Sequence, residues 1–332
     1  HDNRTGTAMH QISIFAVTTA IAFSAGVAGA QTKWDMPTPY APGEFHTVNI
    51  VQFADEVKKA TGGKLEIVVH PAASLLPLPQ IKRNIQTGQV QIGEILLSSL
   101  ENEDPIYGVD TVPFLVTSYD AAKKLADSSL PMLRDRMMKQ GIRILYAVPW
   151  PPQGFYASKP MNSVADMKGL KFRSYGPSAA RFGELVGASV QTIQAAELSQ
   201  ALATGRINSM ITSGATGSGV KVWESDVKWF YELDAWLPKN AVIVNEAAFK
   251  SLDQATQNAL VKAAADAETR GYELSKKRTA DSLVLLKQNG MNVQKPSPQL
   301  VADLKKVGAA MAEDWEKRAG AEGTKLLAPF KN

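Results

Sequence analysis

One arginine in the chain has a setting that suggests ligand binding. Arg173 ends the stretch Leu170–Arg173, in which apolar and charged side chains alternate, and a Tyr-Gly-Pro turn follows it. The alternation predicts a short strand, and ligands of α/β sheets bind at the carboxyl ends of the strands. A guanidinium matches a carboxylate through two parallel hydrogen bonds, which a lysine cannot form. We therefore predict that Arg173 holds a carboxylate.

Aromatic side chains accompany this arginine. Six of them fall at predicted strand ends or in predicted loops: Trp150, Phe155, Tyr156, Tyr175, Trp223 and Trp236. Core or hinge packing explains any one of them. As a group beside one arginine and several neutral polar groups, they favour a small-molecule cleft.

Patterns for other chemistry are missing. The sequence has no cysteine, and its histidines outside the N-terminal region are His46 and His70, with no HExxH pair. Disulfides, thiolate nucleophiles and cysteine-ligated zinc are therefore excluded, and we expect neither a metal nor a cofactor. No nucleophile elbow or phosphate loop occurs. We interpret the glycine-rich run Gly214–Gly219 as a turning loop and the acidic run Glu101–Asp104 as a solvated loop.

The overall composition is that of a globular protein. The 332 residues are 45% apolar and 20% charged, which predicts a well-formed core and leaves room for two domains. The 36 basic and 32 acidic residues are scattered along the chain. Because no basic stripe forms, we expect no nucleic-acid partner.

The N-terminal region resembles an export signal. The apolar stretch Ile12–Ala25 precedes the small residues Ala28–Ala30, so we expect cleavage after Ala30 and a periplasmic mature chain from Gln31. We expect His1–Ala8 to be foreign to the natural start. The alternative is an N-terminal membrane anchor, but the stretch is short for a membrane-spanning helix. We therefore expect no stable membrane insertion of the mature chain.

Helical and strand patterns alternate after the signal. The predicted strands are 64–70, 90–97, 142–148, 170–173, 188–193 and 207–212. The predicted helices carry Ile50, Phe53, Ala54 and Val57 on one face, pass through Ile81 and Ile85, follow Ser118, and cover 178–186 and 195–204. Two local segments match: IQTGQVQIGEI in the first half and LATGRINSMIT in the second each read as helix, Thr-Gly stop and strand.

The matching halves indicate two similar α/β domains joined by a hinge. The join is predicted at the proline-rich stretch Pro149–Gly154, because prolines do not fit a central strand. One long helix, Gln254–Gln288, is predicted to span both domains. The predicted lobe I is 31–150 with about 241–270, and lobe II is 151–240 with about 271–332.

At these positions the sequence resembles the solute-binding subunits of tripartite ATP-independent periplasmic (TRAP) transporters. The motif residues are Asp166, Lys168, Gly169, Lys171, Arg173, Gly187, Ala188, Glu197, Ala201, Leu202, Gly205 and Asn208. The stretches TGGKLEIVVHP, VPFL and VIVNEAAF also fit, and the match covers residues 34–320. The resemblance implies a two-lobed, periplasmic-binding-protein-like α/β fold with a hinge, a ligand cleft between the lobes and a long spine helix. It also implies a receptor that closes over an organic acid and delivers it to a TRAP membrane permease for ion-coupled uptake.

The resemblance makes Arg173 the ligand-carboxylate residue. The full set of predicted ligand-binding residues is Arg173, Gln153, Thr212, Trp150, Tyr175, Tyr40, Leu96, Ser98, Trp236 and Asn240. Three of them depart from sialic-acid-type members of the family, where Gln153 is an arginine, Leu96 a glutamate and Thr212 an asparagine. A polyhydroxylated ligand would leave hydroxyls unpaired, at about 1–3 kcal/mol each. We therefore expect a monocarboxylate with an apolar or aromatic body, such as a 2-oxo, 2-hydroxy or aromatic acid.

Two other functions remain open on the same fold. A ligand-sensing module for a signalling kinase would share every feature above. An enzyme such as a lyase or deaminase would need a general base near Arg173, and no histidine or motif carboxylate is placed there by the sequence. We expect a monomer.

Overall fold

Strands and helices alternate through most of the computed structural model, which describes residues 31–331. The strands are β1 Thr32–Pro37, β2 Leu65–His70, β3 Ile92–Leu96, β4 Ile142–Pro149, β5 Gln153–Ala157, β6 Lys171–Ser174, β7 Ser189–Thr192, β8 Ser209–Ser213, β9 Trp229–Tyr231, β10 Lys239–Asn245 and β11 Asn292–Gln294. The α-helices are α1 Phe45–Ala60, α2 Leu78–Gln86, α3 Tyr119–Met138, α4 Pro177–Leu185, α5 Leu198–Ala203, α6 Gly214–Gly219, α7 Glu246–Ser251, α8 Gln254–Gln288 and α9 Pro298–Leu327. The predicted signal peptide lies outside the described residues.

A three-stranded sheet, here called sheet I, organises the first half. Its order is β3-β10-β4, and β10 is antiparallel to both neighbours. All seven residues of β10 are buried, as expected of a central strand covered on both faces. The register places Asn240 opposite Leu96 on one side and opposite Val148 on the other. The parallel pair β1-β2 stands beside sheet I.

A six-stranded sheet, here called sheet II, organises the second half. Its order is β11-β9-β5-β8-β6-β7, and β6 runs parallel to both β7 and β8. The alternation predicted for β6 is confirmed, because Phe172 enters the core against Phe155 and Phe182 while Arg173 faces away from them. Because these strands are parallel, the carboxyl end of β6, which carries Arg173, lies at the same edge of sheet II as the carboxyl ends of β7 and β8.

The matching Thr-Gly segments form the same structure in both halves. Helix α2 ends before Thr87-Gly88 and leads to β3, and α5 ends before Thr204-Gly205 and leads to β8. Gly88 and Gly205 have φ values of 76° and 63°, in the left-handed region that favours glycine at a helix end. The predicted elements of both segments are thus confirmed. Their ends shift by one or two residues, except that α5 begins three residues late because Ala195–Glu197 forms a 3-10 turn.

The predicted long helix is also confirmed. Helix α8 has 35 residues and is capped by the Asp253 side chain, which accepts a hydrogen bond from the Thr256 amide. It packs against α1 and β4 from the first half and against α6 and β11 from the second. Contacts group the residues from Gln31 onward as one unit, so the lobe boundaries given above stay a prediction.

Two loop interpretations are wrong. Gly214–Gly219 is helix α6, which the Ser213 hydroxyl caps by accepting from the Thr216 amide. Its glycines are explained by close packing, since a Cβ at Gly217 would overlap the Tyr156 hydroxyl. Tertiary contacts here override the low helix propensity of glycine.

The acidic run is not uniformly solvated either. Glu101 is 3% exposed, and its carboxylate accepts hydrogen bonds from Ser178 and Arg318. Asp104 pairs with Arg136 at 2.6 Å. Charge alone therefore misled the interpretation of this run, because its partners lie far away in the sequence. No helix among residues 31–331 combines the length and the apolar character needed to cross a membrane.

Candidate functional site

Arg173 is buried at the carboxyl end of β6. Its side chain is 3% exposed, and Nε donates a hydrogen bond of 3.0 Å to the carbonyl oxygen of Ile193, just after β7. The guanidinium carbon lies 5.1 Å from the centre of the Tyr175 ring. Among residues 31–331 no carboxylate forms an ion pair with this guanidinium, so its remaining N–H groups are available to a ligand. This geometry suits the binding of an anion.

Tyr175 connects three of the predicted residues. Its hydroxyl accepts a 2.8 Å hydrogen bond from the indole N–H of Trp236 and donates one of 3.3 Å to Oε1 of Gln153. The amide nitrogen of Gln153 donates to the carbonyl oxygen of Pro151 at 2.9 Å. The chain of bonds fixes the orientation of the Gln153 amide and holds the Tyr175 ring beside Arg173.

A second hydrogen-bond network holds Trp150 in place. Its indole N–H donates to Oδ1 of Asn240 at 2.9 Å, and the Tyr40 hydroxyl donates to the same oxygen at 3.2 Å. The amide nitrogen of Asn240 donates to Glu94 at 2.9 Å, and Thr38 donates to the other Glu94 oxygen at 2.6 Å. Asn240 and Glu94 therefore orient two aromatic side chains of the wall from behind.

A cavity of about 410 Å³ lies between these networks. That volume is within the usual range for small-molecule sites. Most of its walls are apolar, and the larger apolar contributors are Leu78, Leu96, Trp150, Leu198, Val220 and Pro238. Sheet I supplies Leu96 from β3, while sheet II supplies Arg173 and Thr212 from β6 and β8. The cavity is thus built from both halves of the chain.

Seven of the ten predicted residues line this cavity: Tyr40, Leu96, Trp150, Gln153, Arg173, Tyr175 and Thr212. Trp236 and Asn240 do not, but each bonds a residue that does. Ser98 also lies outside the lining; it is buried in a short 3-10 helix, and its hydroxyl has no hydrogen-bond partner among the described residues.

The aromatic group was only partly assigned correctly. Phe155 and Tyr156 lie within β5 and are fully buried in the core, and neither lines the cavity. Trp223 is also absent from the lining.

Two charged lining residues were missed by the sequence analysis. Glu44 precedes helix α1, and Arg278 lies on helix α8; both face the cavity that contains Arg173. They add an anion and a second cation to the predicted lining residues. Arg278 is one of many charged residues on a long helix, and no local pattern distinguishes it.

Burial changes the charge properties of the site. It lowers the pKa of Arg173 to about 10, partly offset by the nearby phenols of Tyr175 and Tyr40. The residue remains a cation at neutral pH. Burial raises the pKa of Glu94 to about 7, although Thr38 and Asn240 donate hydrogen bonds that favour its ionised form. Burial lowers the pKa of His46, whose ring packs at a tilt against Trp150 with 4.4 Å between ring centres.

No group of three or more histidine or carboxylate side chains among residues 31–331 is placed to hold a metal ion. The cavity combines a buried cation, Arg173, with one further carboxylate, Glu44, one further guanidinium, Arg278, and mostly apolar walls. Such a set can hold an organic acid by charge and exclude water from it.

Comparisons with known proteins agree with this architecture. The family model for bacterial extracellular solute-binding proteins, family 7 (DctP), matches residues 40–320. The chain therefore belongs to this family, the solute receptors of TRAP transporters, and the predicted two-lobed α/β fold is confirmed. Receptors of this family are periplasmic and function in transport.

Three similar solved structures have the same fold over nearly their whole length. Two are Bordetella pertussis extracytoplasmic solute receptors binding pyroglutamic acid, DctP6 and DctP7, with 48% and 43% identity. They cover 90% and 91% of this chain and 99% and 100% of their own, each with a TM-score of 0.88. The third is a marine metagenome TRAP solute-binding protein specific for pyroglutamate, with 42% identity, 90% and 99% coverage and a TM-score of 0.88.

Proposed function

We propose that this family 7 receptor binds pyroglutamate in the cavity at Arg173 and delivers it to a TRAP permease. The observation that carries the proposal is the buried Arg173 guanidinium, which lines the cavity and pairs with no carboxylate of the described residues. An anionic ligand strongly stabilises a buried cation that has no other anionic partner. Three relatives at 42–48% identity are described with pyroglutamate.

The chemistry of pyroglutamate fits the walls. Pyroglutamate is a compact five-membered lactam ring that carries one carboxylate. This carboxylate matches the guanidinium of Arg173. The ring methylenes are apolar and suit Leu96 and Trp150, which would exclude water from them. Thr212 lines the cavity and is 3% exposed, and its hydroxyl makes no hydrogen bond among residues 31–331, so it is available to a ligand oxygen. This ligand agrees with the expected monocarboxylate, although its body is a saturated ring and not an aromatic one.

Ligand identity tests the proposal directly. Purified protein would be denatured and the released small molecules identified by mass spectrometry, and the ligand-free protein would then be titrated by calorimetry. We expect pyroglutamate to be released and to bind more tightly than succinate, sialic acid or an aromatic monocarboxylate such as benzoate. No binding of pyroglutamate, or tighter binding of any of the three others, would contradict the proposal.

A further inference from the structure

The lining of the cavity carries two opposite charges, Glu44 and Arg278, that do not pair with each other. Glu44 accepts a 2.9 Å hydrogen bond from the Phe45 amide through Oε1, and Arg278 has a 3.4 Å contact with the Ser218 hydroxyl. Within the described residues, neither side chain has an oppositely charged side chain within 4.0 Å. Both nevertheless line the cavity that contains Arg173.

These two charges stand at the same end of the cavity. A Cβ added to Gly219 would lie 3.5 Å from Oε2 of Glu44, and the preceding residue is the Ser218 that contacts Arg278. The last turn of α6 thus lies against both side chains. The pKa of Glu44 is raised by burial and lowered by the Phe45 amide and by Arg278, as expected if the two charges are near.

Tyr40 places this pair relative to Arg173. Burial is the main cause that raises the pKa of the Tyr40 phenol; among the weaker causes, Arg173 lowers the pKa and Glu44 raises it. Tyr40 therefore lies within electrostatic reach of both residues. Arg173, Tyr40, Glu44 and Arg278 all line the same cavity.

A ligand group that suits Glu44 and Arg278 together must offer a donor and an acceptor side by side. A second carboxylate offers only acceptors and would meet the Glu44 charge, whereas an ammonium offers only donors and would meet the Arg278 charge. A lactam offers both on one edge, because its ring holds the N–H and the C=O on the same side. In pyroglutamate the N–H is bonded to the carbon that carries the carboxylate, and the C=O follows the N–H. One molecule can therefore present a carboxylate to Arg173 and a lactam edge to other polar groups of the same cavity.

We propose that Glu44 and Arg278 form a lactam-reading subsite, in which the Glu44 carboxylate accepts the ring N–H and the Arg278 guanidinium donates to the ring carbonyl. This inference rests on the proposed function, since it takes pyroglutamate as the ligand. It assigns selectivity for the lactam to two residues that are separate from the carboxylate site at Arg173. Both side chains are half-buried, and an analogue without the N–H would set a lone pair against the Glu44 carboxylate, so such analogues are rejected.

The first test needs no variant. Calorimetry compares L-pyroglutamate with its γ-lactone analogue, in which a ring oxygen replaces the N–H and presents a lone pair to Glu44. We expect the wild-type protein to bind the lactone at least about 100-fold more weakly. Equal affinities for lactam and lactone would overturn the subsite.

The second test uses two variants and matched controls. Glu44→Gln and Arg278→Met should each weaken pyroglutamate binding about 10- to 100-fold. Glu44→Gln should also reduce the preference for lactam over lactone, because the glutamine amide can donate to the lactone oxygen. Glu224→Gln and Arg181→Met, at exposed positions outside the lining, should change neither value.

The outcomes separate the two proposals. If wild-type protein binds pyroglutamate, and Glu44→Gln and Arg278→Met retain wild-type affinity and lactam preference, the subsite is wrong and the proposed function stands. If wild-type protein does not bind pyroglutamate, both are wrong. A folded state of each variant is established from its ligand-free unfolding curve, and the lactone comparison in wild-type protein decides the question even where a variant does not fold.

Discussion

Replacing Arg173 with methionine separates its role in binding from its role in folding. Methionine keeps much of the length of the side chain but removes the charge and the hydrogen-bonding fork. Truncating one partner of a buried charge pair costs about 2–5 kcal/mol, partly because the other charge is left unpaired. We therefore expect Arg173→Met to weaken pyroglutamate binding by about 30- to 4,000-fold.

The ligand-free protein should respond differently. Burial lowers the pKa of Arg173 from its usual value to about 10, so keeping the cation buried without an anion costs about 3 kcal/mol. The substitution removes that cost, but it also removes the hydrogen bond to the Ile193 carbonyl, whose loss costs about 1–3 kcal/mol. The two effects nearly cancel, so the free energy of unfolding of ligand-free Arg173→Met should equal or slightly exceed that of the wild type.

The assay combines calorimetric titration with thermal unfolding, each with and without pyroglutamate. Arg173→Lys keeps the charge but loses the fork, so its affinity should fall between those of the other two proteins. Arg181→Met, half-exposed on α4, is the matched control and should behave as wild type. Wild-type affinity in Arg173→Met would refute the assignment of Arg173. A large loss of ligand-free stability would refute the charge-burial argument.

Three further predictions follow from the packing and burial of the described residues. Burial raises the pKa of Glu94 from 4.5 to about 7, so the stability that Glu94 contributes is present below pH 4.5 and is lost as the pH rises through about 7. Glu94→Gln should therefore raise the free energy of unfolding on the order of 3 kcal/mol at pH 8 and change it little at pH 4. Chemical denaturation at the two pH values measures both changes. Gly271→Ala should lower the thermal midpoint by several degrees, because its Cβ would overlap Val148, whereas Gly176→Ala, which adds a Cβ in open space, should not. Small-angle scattering should show a smaller radius of gyration with pyroglutamate than without, and identical curves would contradict hinge closure.

The fold was largely predictable because its signals are local. Strands such as β2 and β4 alternate or run apolar, and the Thr-Gly stops end helices through the conformational freedom of glycine. Helix α6 was missed for the opposite reason. Its sequence is poor in helix formers, and its glycines are needed where the helix packs closely on Tyr156 and on Ser282 of α8. That requirement exists only in the assembled fold.

Sequence analysis could predict a site residue only where the residues next to it in the chain form a recognisable pattern. Arg173 was found because a strand and a turn surround it in the chain. Glu44 and Arg278 are separated by more than two hundred residues, and their convergence depends on how α1, α6 and α8 pack. Glu94 was missed for a related reason, since its role is to orient Asn240 behind the wall and not to face the cavity.

Under the proposed function, ligand affinity and closure of the cavity depend on the same buried charge, Arg173. Arg173 comes from sheet II, whereas Leu96 and Trp150, which help to cover it, come from β3 and from the end of β4 at sheet I. Bringing these walls together removes water from the guanidinium, and the lowered pKa shows that this desolvation is unfavourable for the cation. A carboxylate in the cavity offsets the cost, while an uncharged molecule of the same shape does not. Under the proposed function, Arg173 therefore selects an acid and also makes the closed form most stable when an acid is bound. A receptor that presents its closed form to a permease would then present it with the ligand bound.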